Sequence, residues 1–159
     1  MTTRIGFGTD IHRVVAGRPL VIGGVTIESD LGAEGHSDAD VLMHAAADAV
    51  LGALALGDLG THFPNDEERW RNAESSQFLR YAISLIKEQG YEVANFDSVI
   101  DLERPKLRAH IDAMRENLAD ALGVDLSQVS VKAKTGETVD AVGERRAIRA
   151  QAIVLVTRA

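Results

Sequence analysis

The chain has 159 residues, 45% hydrophobic and 26% charged, with a formal net charge of −7 and no cysteine. That length suits one domain with a real core, and the acidic balance argues against a general binder of nucleic acid or anionic membranes. Without cysteine there is no disulfide and no thiolate site, so a metal would need histidines and carboxylates, and a reducing, cytoplasmic setting is expected.

Residues 1–159 read as a single domain without signal segment, linker or repeat. Arg4–Val15 reads as a strand, with Gly6, Gly8, Asp10 and His12 on one face at the two-residue period. The two glycines leave room beside that face. Leu20–Ile22 and Val25–Ile27 flank Gly23-Gly24 as a small hairpin. Ser29–Gly35 reads as a loop.

The stretch His36–Gly60 organises the chain. Ser37 stands where a helix N-cap belongs, Asp38 and Asp40 fall in the first turn, and Gly57 is placed as the stop. The helix is apolar almost all round and is therefore expected to be buried, yet Asp40, His44 and Asp48 recur on one face. It is too short and too polar to span a membrane. Burying such groups costs several kcal/mol each unless they are paired or hold a metal.

Thr61–Asn72 is a long polar loop containing Phe63-Pro64-Asn65-Asp66 and a lone Trp70. A second helix is expected over Ala73–Gln89, a strand over Tyr91–Leu102, and a third helix opened by Pro105 and stopped by Gly123. Ser127–Thr135 and Ala147–Val156 read as strands, with Gly136–Glu144 a loop between them. The expectation is an α/β (α+β) two-layer sandwich: a mixed four-stranded sheet with helices on one face, plus the hairpin. The face carrying Ile148, Ala150, Ala152, Val154 and Val156 needs cover, for which oligomerisation is one source.

Asp10 and His12 share a strand face, and His44 from a neighbouring helix would complete a set of one oxygen and two nitrogens. Three protein ligands leave a fourth position open, the pattern of a catalytic zinc site. The plainer alternative is a strand-edge Asp-His pair beside a core histidine. His36-Ser37, just before a helix, suits a phosphate, or is a simple cap. Lys134-Thr135-Gly136-Glu137 offers a cation, a hydroxyl and a carboxylate for a phosphate and a hard divalent ion, or is a solvated turn. Arg104-Pro105-Lys106 meets a nucleotide or starts a surface helix; His62 and His110 read as surface residues.

Together these segments resemble the 2-C-methyl-D-erythritol 2,4-cyclodiphosphate synthase family. The resemblance rests on Gly6-Phe7-Gly8-Thr9-Asp10-Ile11-His12, on His36-Ser37-Asp38-Ala39-Asp40-Val41-Leu42-Met43-His44, and on Leu56 through Pro64. Arg104-Pro105-Lys106 and Val131-Lys132-Ala133-Lys134-Thr135 extend it nearly end to end. It implies a homotrimer with active sites between subunits and zinc, or another divalent metal, on Asp10, His12 and His44. His36 and Ser37 would meet substrate, with His36 and Thr135 stabilising the transition state. Asp58, Leu59 and Gly60 would position the methylerythritol group, helped by Phe63, Pro64, Asn65, Asp66 and Glu67. Leu102, Glu103, Arg104, Pro105, Lys106, Leu107 and Arg108 would form the cytidine pocket, and Lys134, Thr135, Gly136 and Glu137 would meet the phosphates. Glu137 would hold Mg²⁺ or Mn²⁺ bridging the diphosphate. The implied reaction is intramolecular attack of a 2-phosphate on the β-phosphorus of a cytidine diphosphate ester, releasing CMP. The competing classes are a zinc phosphohydrolase and a metal-binding protein without turnover. Where the family usually has an aromatic residue and an arginine facing a central trimer cavity that can hold isoprenoid phosphates, this chain has Ala141 and Glu144.

Overall fold

In the computed structural model, which describes residues 1–64 and 66–158, β1 (Thr2–Ala16), β2 (Leu20–Ile22), β3 (Val25–Ile27) and β4 (Leu31–Ala33) precede α1 (Val41–Ala53) and a short α2 (Leu59–His62). Next come α3 (Ser76–Glu88), β5 (Glu92–Asp101), α4 (Ile111–Leu122), β6 (Val129–Lys134), a short α5 (Asp140–Gly143) and β7 (Ala147–Arg158). The main sheet runs β4-β1-β7-β5-β6, with β5 and β6 parallel and the other neighbours antiparallel. It is a mixed sheet of five strands rather than four. The extra edge strand comes from the expected 29–35 loop, where Val14–Ala16 pair with Leu31–Ala33. A side chain at Gly32 would stand 2.1 Å from the Arg18 carbonyl oxygen, so only glycine lets this edge close.

The face of β7 carrying Ile148, Ala150, Ala152, Val154 and Val156 is already covered within the chain, each of these residues being at most 1% exposed beneath the helices. The open apolar surface lies on the other face, where Ile5, Phe7, Ile11 and Ile153 are 49–69% exposed. Alternation along β1 explains the division: its glycines turn toward α1, its large apolar residues away.

α1 begins three residues later than the Ser37 cap implies. Ala39 is left-handed at φ 56°, which breaks the helical path, and Asp40 caps instead by accepting from the Leu42 and Met43 N–H groups. The same carboxylate accepts the Gly23 and Gly24 N–H groups at 2.9 and 2.7 Å, joining the hairpin turn to the helix. Burial pushes the Asp40 carboxyl up, against the pull of these N–H bonds. α1 also ends early, at Ala53, because Ala55 is left-handed; Gly57 instead turns the chain toward α2. Pro105 does not open a helix: Leu102 and Leu107 are both buried, drawing the segment along the core until a 3₁₀ turn at Arg108–His110 leads into α4. The Gly136–Glu144 loop contains α5. His62 and His110 are half-buried rather than surface residues, and His62 Nε2 donates to the Leu56 carbonyl at 2.8 Å. No helix among the described residues is long and apolar enough to cross a membrane.

Candidate metal centre and substrate clefts

Gly6 and Gly8 let α1 lie directly on β1: a Cβ at these positions would stand 1.8 Å from the Ala49 oxygen and 2.1 Å from the Ala45 oxygen. That close approach brings His44, one residue before Ala45, to the strand face bearing Asp10 and His12. Asp10 Oδ2 lies 2.9 Å from both His12 Nε2 and His44 Nδ1, and the two nitrogens are 3.2 Å apart. Among the described residues this is the one group of three or more such side chains able to hold a metal ion.

The outer hydrogen bonds test whether a cation fits. His12 Nδ1 donates to the Glu34 carbonyl at 2.9 Å, which leaves Nε2 as the lone-pair atom of a neutral ring. His44 Nε2 faces the Ser75 and Ser37 hydroxyls at 2.8 and 3.2 Å and turns Nδ1 inward. Two imidazole lone pairs and a carboxylate oxygen thus converge, an arrangement that calls for a positive charge between them, as expected for ligands oriented by their outer partners. Burial raises the Asp10 carboxyl, but the hydrogen bonds and charges of His12 and His44 outweigh it and hold the group far below the ordinary range. Burial likewise opposes charge on His12, and bonding to Asp10 reverses that and raises it. The set suits zinc or another divalent ion that accepts mixed nitrogen and oxygen ligands.

The trio lies in a cleft of about 370 Å³ that also gathers His36, Ser37, Leu59, Gly60 and Phe63. His36 Nε2 donates to the Glu67 carbonyl at 3.0 Å, which ties Glu67 to this wall. Asp58 caps α2, accepting from the Thr61 hydroxyl and N–H; these bonds hold its carboxyl below the ordinary range. Pro64 and Glu67 are half-buried and Asp66 exposed; Asn65 lies outside the described residues.

Sequence reasoning left several residues of this cleft without a role. Asp48 lines it and accepts the Leu59 N–H at 2.8 Å; burial raises its carboxyl, with Asp58 and Asp10 adding to the effect. Its i+4 spacing from His44 was the available signal. Trp70 and Phe78 also line the cleft, Trp70 standing edge-on to Phe63 with ring centres 4.9 Å apart. Trp70 Nε1 is buried without a partner among the described residues.

A second cleft of about 500 Å³ opens between the strand ends of β5 and β6. Leu102, Pro105, Lys106, Leu107 and Arg108 line one side, and Lys134, Thr135 and Glu137 the other. Its halves are tied by the Leu102 N–H on the Lys134 carbonyl and the Gly136 N–H on the Glu103 carboxylate, both at 2.9 Å. Thr135 Oγ1 donates to Glu137 in a very short contact. Arg104 stays exposed at the rim. Within one chain the two clefts do not merge. Asp10 pairs across to Ala150, Ala150 to Ile100 and Ile100 to Ala133, so about three strand spacings, roughly 14 Å, separate β1 from β6.

An α/β protein with an Asp-His-His trio at one cleft and a cationic strand-end cleft beyond it is the class these features define. The chain belongs to the YgbB family, whose model matches residues 3–157. It is 51% identical over 155 residues to the 2-C-methyl-D-erythritol 2,4-cyclodiphosphate synthase of Solibacter usitatus, with 98% of each chain covered. Among solved structures, the bifunctional IspDF of Campylobacter jejuni superposes with a TM-score of 0.95 at 34% identity, over 99% of this chain and 43% of that one. A 2C-methyl-D-erythritol-2,4-cyclodiphosphate synthase in its CDP-bound form gives a TM-score of 0.89 at 38% identity, over 97% of this chain and all of that one.

Proposed function

We propose that this chain, as one catalytic domain over residues 1–159, converts 4-diphosphocytidyl-2-C-methyl-D-erythritol 2-phosphate to 2-C-methyl-D-erythritol 2,4-cyclodiphosphate and CMP, a step of the non-mevalonate isoprenoid pathway. The observation that carries the reading is the convergence of Asp10, His12 and His44 on one cleft wall, in a chain half identical to a synthase of that name over nearly its whole length. A divalent cation on this trio, zinc by the donor set, supplies charge stabilisation to phosphoryl oxygens when bound.

The residues of the chain do the rest. Asp58, Leu59 and Gly60, with the Phe63–Glu67 segment, hold the methylerythritol end. The 102–108 segment receives the cytosine and ribose; that a relative binds CDP supports a cytidine nucleotide as the ligand. Lys134 and Thr135 face the phosphates, and Glu137 would hold Mg²⁺ or Mn²⁺, a hard cation that would offset the charge of the diphosphate. With both ends fixed, an oxygen of the 2-phosphate attacks the β-phosphorus. The bond from that phosphorus to the bridging oxygen breaks, and CMP leaves with that oxygen. His36 and Thr135 stabilise the charge that develops during transfer.

A second cleft contributed by a neighbouring subunit would complete the site at the first, in a homotrimer. The exposed Ile5, Phe7, Ile11 and Ile153 supply an apolar surface for it. The cysteine-free chain suits a cytoplasmic setting, with neither nucleic acid nor membrane as partner. Incubation with the cytidine substrate, Zn²⁺ and Mg²⁺ tests the reading: cyclic diphosphate with CMP is expected. Linear phosphate products would replace it with a hydrolase, and no turnover with a binding protein.

A further inference from the structure

Ser75 stands immediately ahead of α3, where an N-cap belongs, yet its hydroxyl caps nothing. It is fully buried and bonds instead to side chains more than 30 residues away. Its Oγ–H donates to Asp38 Oδ1 in a very short contact, and its backbone N–H donates to Asp38 Oδ2 at 3.0 Å. A serine has one hydroxyl proton. With that proton on the carboxylate, Ser75 Oγ can only accept from His44 Nε2, 2.8 Å away. Asp38 is itself anchored: its Oδ1 accepts the Asp40 N–H at 3.1 Å, and its own N–H donates to the Ala73 carbonyl at 3.1 Å. A carboxylate–hydroxyl–imidazole chain therefore ends at the lone pair of His44 Nδ1, the atom 2.9 Å from Asp10.

We propose that Asp38 and Ser75 are positioning residues for the metal site, holding His44 as its Nε2–H tautomer and setting how tightly Nδ1 binds a divalent cation. This rests on reading Asp10, His12 and His44 as ligands. The serine stops the ring rotating, and the carboxylate behind it makes the ring more electron-rich at Nδ1. Outer partners of this kind change metal affinity by roughly 10–100-fold.

Zinc affinity of the purified full chain, measured by competition with a chromogenic chelator, tests this for the wild type, Ser75→Ala, Asp38→Asn and their double variant. His44→Ala serves as the control that loses a ligand. Both single variants are expected to bind zinc about tenfold more weakly or worse, and the double variant no worse than the weaker single, because the residues act in series. Nitrogen NMR of histidine-labelled protein is expected to show His44 leaving the Nε2–H tautomer in both. Asp38→Asn keeps the side-chain volume and carries the test should Ser75→Ala fold poorly by circular dichroism. Wild-type protein that takes no zinc would overturn the metal reading and this role together. Tight wild-type binding matched by folded variants, with the tautomer unchanged, would overturn this role alone.

Discussion

Replacing Gly8 by alanine tests the contact on which the whole site depends. The new Cβ would stand 2.1 Å from the Ala45 oxygen and 2.6 Å from the Ala49 nitrogen, against 3.4 Å for ordinary contact. Both neighbours are backbone of α1, so no side chain can swing aside, and helix and strand must separate by about 1.3 Å. Overpacking of this kind costs roughly 1–3 kcal/mol. For a chain of this size each kcal/mol lowers Tm by roughly 2–4 °C, so a fall of roughly 2–12 °C is expected. The metal site should suffer more than the fold. Metal–ligand distances tolerate only about 0.2 Å, and the displacement moves His44 away from Asp10 and His12 by several times that. Gly8→Ala is therefore expected to remain folded with sharply reduced zinc affinity. Gly52→Ala, on the exposed side of the same helix with its nearest neighbour 3.8 Å away, should bind zinc normally and gain up to about 1 kcal/mol from helix propensity. Calorimetric melting and chelator competition on both variants provide the comparison. A Gly8→Ala protein with wild-type Tm and wild-type zinc affinity would refute the reasoning.

Three further outcomes are expected. Light scattering should find three chains per particle, and Phe7→Asp, which places a charge on the open apolar face where Phe7 is 58% exposed, should shift the protein to monomer and abolish turnover; an active monomer would contradict the shared site. Burial raises the Asp48 carboxyl, so unfolding releases a proton more readily than the folded state does, and wild-type stability falls as pH rises from the usual value of 3.8 through the raised one. Urea unfolding of the metal-free protein should accordingly find Asp48→Asn as stable as the wild type or more so at pH 7, the difference shrinking below 3.8; a difference that grows on acidification would show the sign to be wrong. Glu144 is exposed and paired with Arg146, and Ala141 offers no aromatic wall, so titration calorimetry with geranyl diphosphate should show little binding, with gain in Ala141→Phe, Glu144→Arg; tight binding by the unaltered chain would overturn the substitution argument.

Much of the candidate metal site was legible because its signals are local. Asp10 and His12 share a face by strand period alone. His44 lies on a helix whose apolar surround makes an ionisable residue costly, and Gly6 and Gly8 mark where backbone must come close. The strands of the sheet were legible from alternation and from runs of β-branched residues, apart from β4, whose three residues are too few to carry a pattern and pair only because Gly32 lets them. Helix boundaries were read less well. Ser37 and Ser75 both have the chemistry of an N-cap, but neither hydroxyl caps a helix; both stand against His44 instead. No local rule distinguishes a serine that caps from one diverted to a partner more than 30 residues away.

The sequence by itself determined the residue types of the site, the period that aligns them and the absence of any thiolate ligand. The tertiary structure decided which atoms meet. Helix packing on two glycines brought His44 within 2.9 Å of Asp10, and the carbonyl of Glu34 and the hydroxyl of Ser75 chose which nitrogen each histidine turns inward. The sheet order decided that β6, at the second cleft, lies about three strand spacings, roughly 14 Å, from β1, which carries Asp10 and His12. It also decided which face of β7 is covered by the chain's own helices. The apolar pattern along that strand shows only that one face must be buried, whereas which layer buries it depends on contacts between segments far apart in the chain.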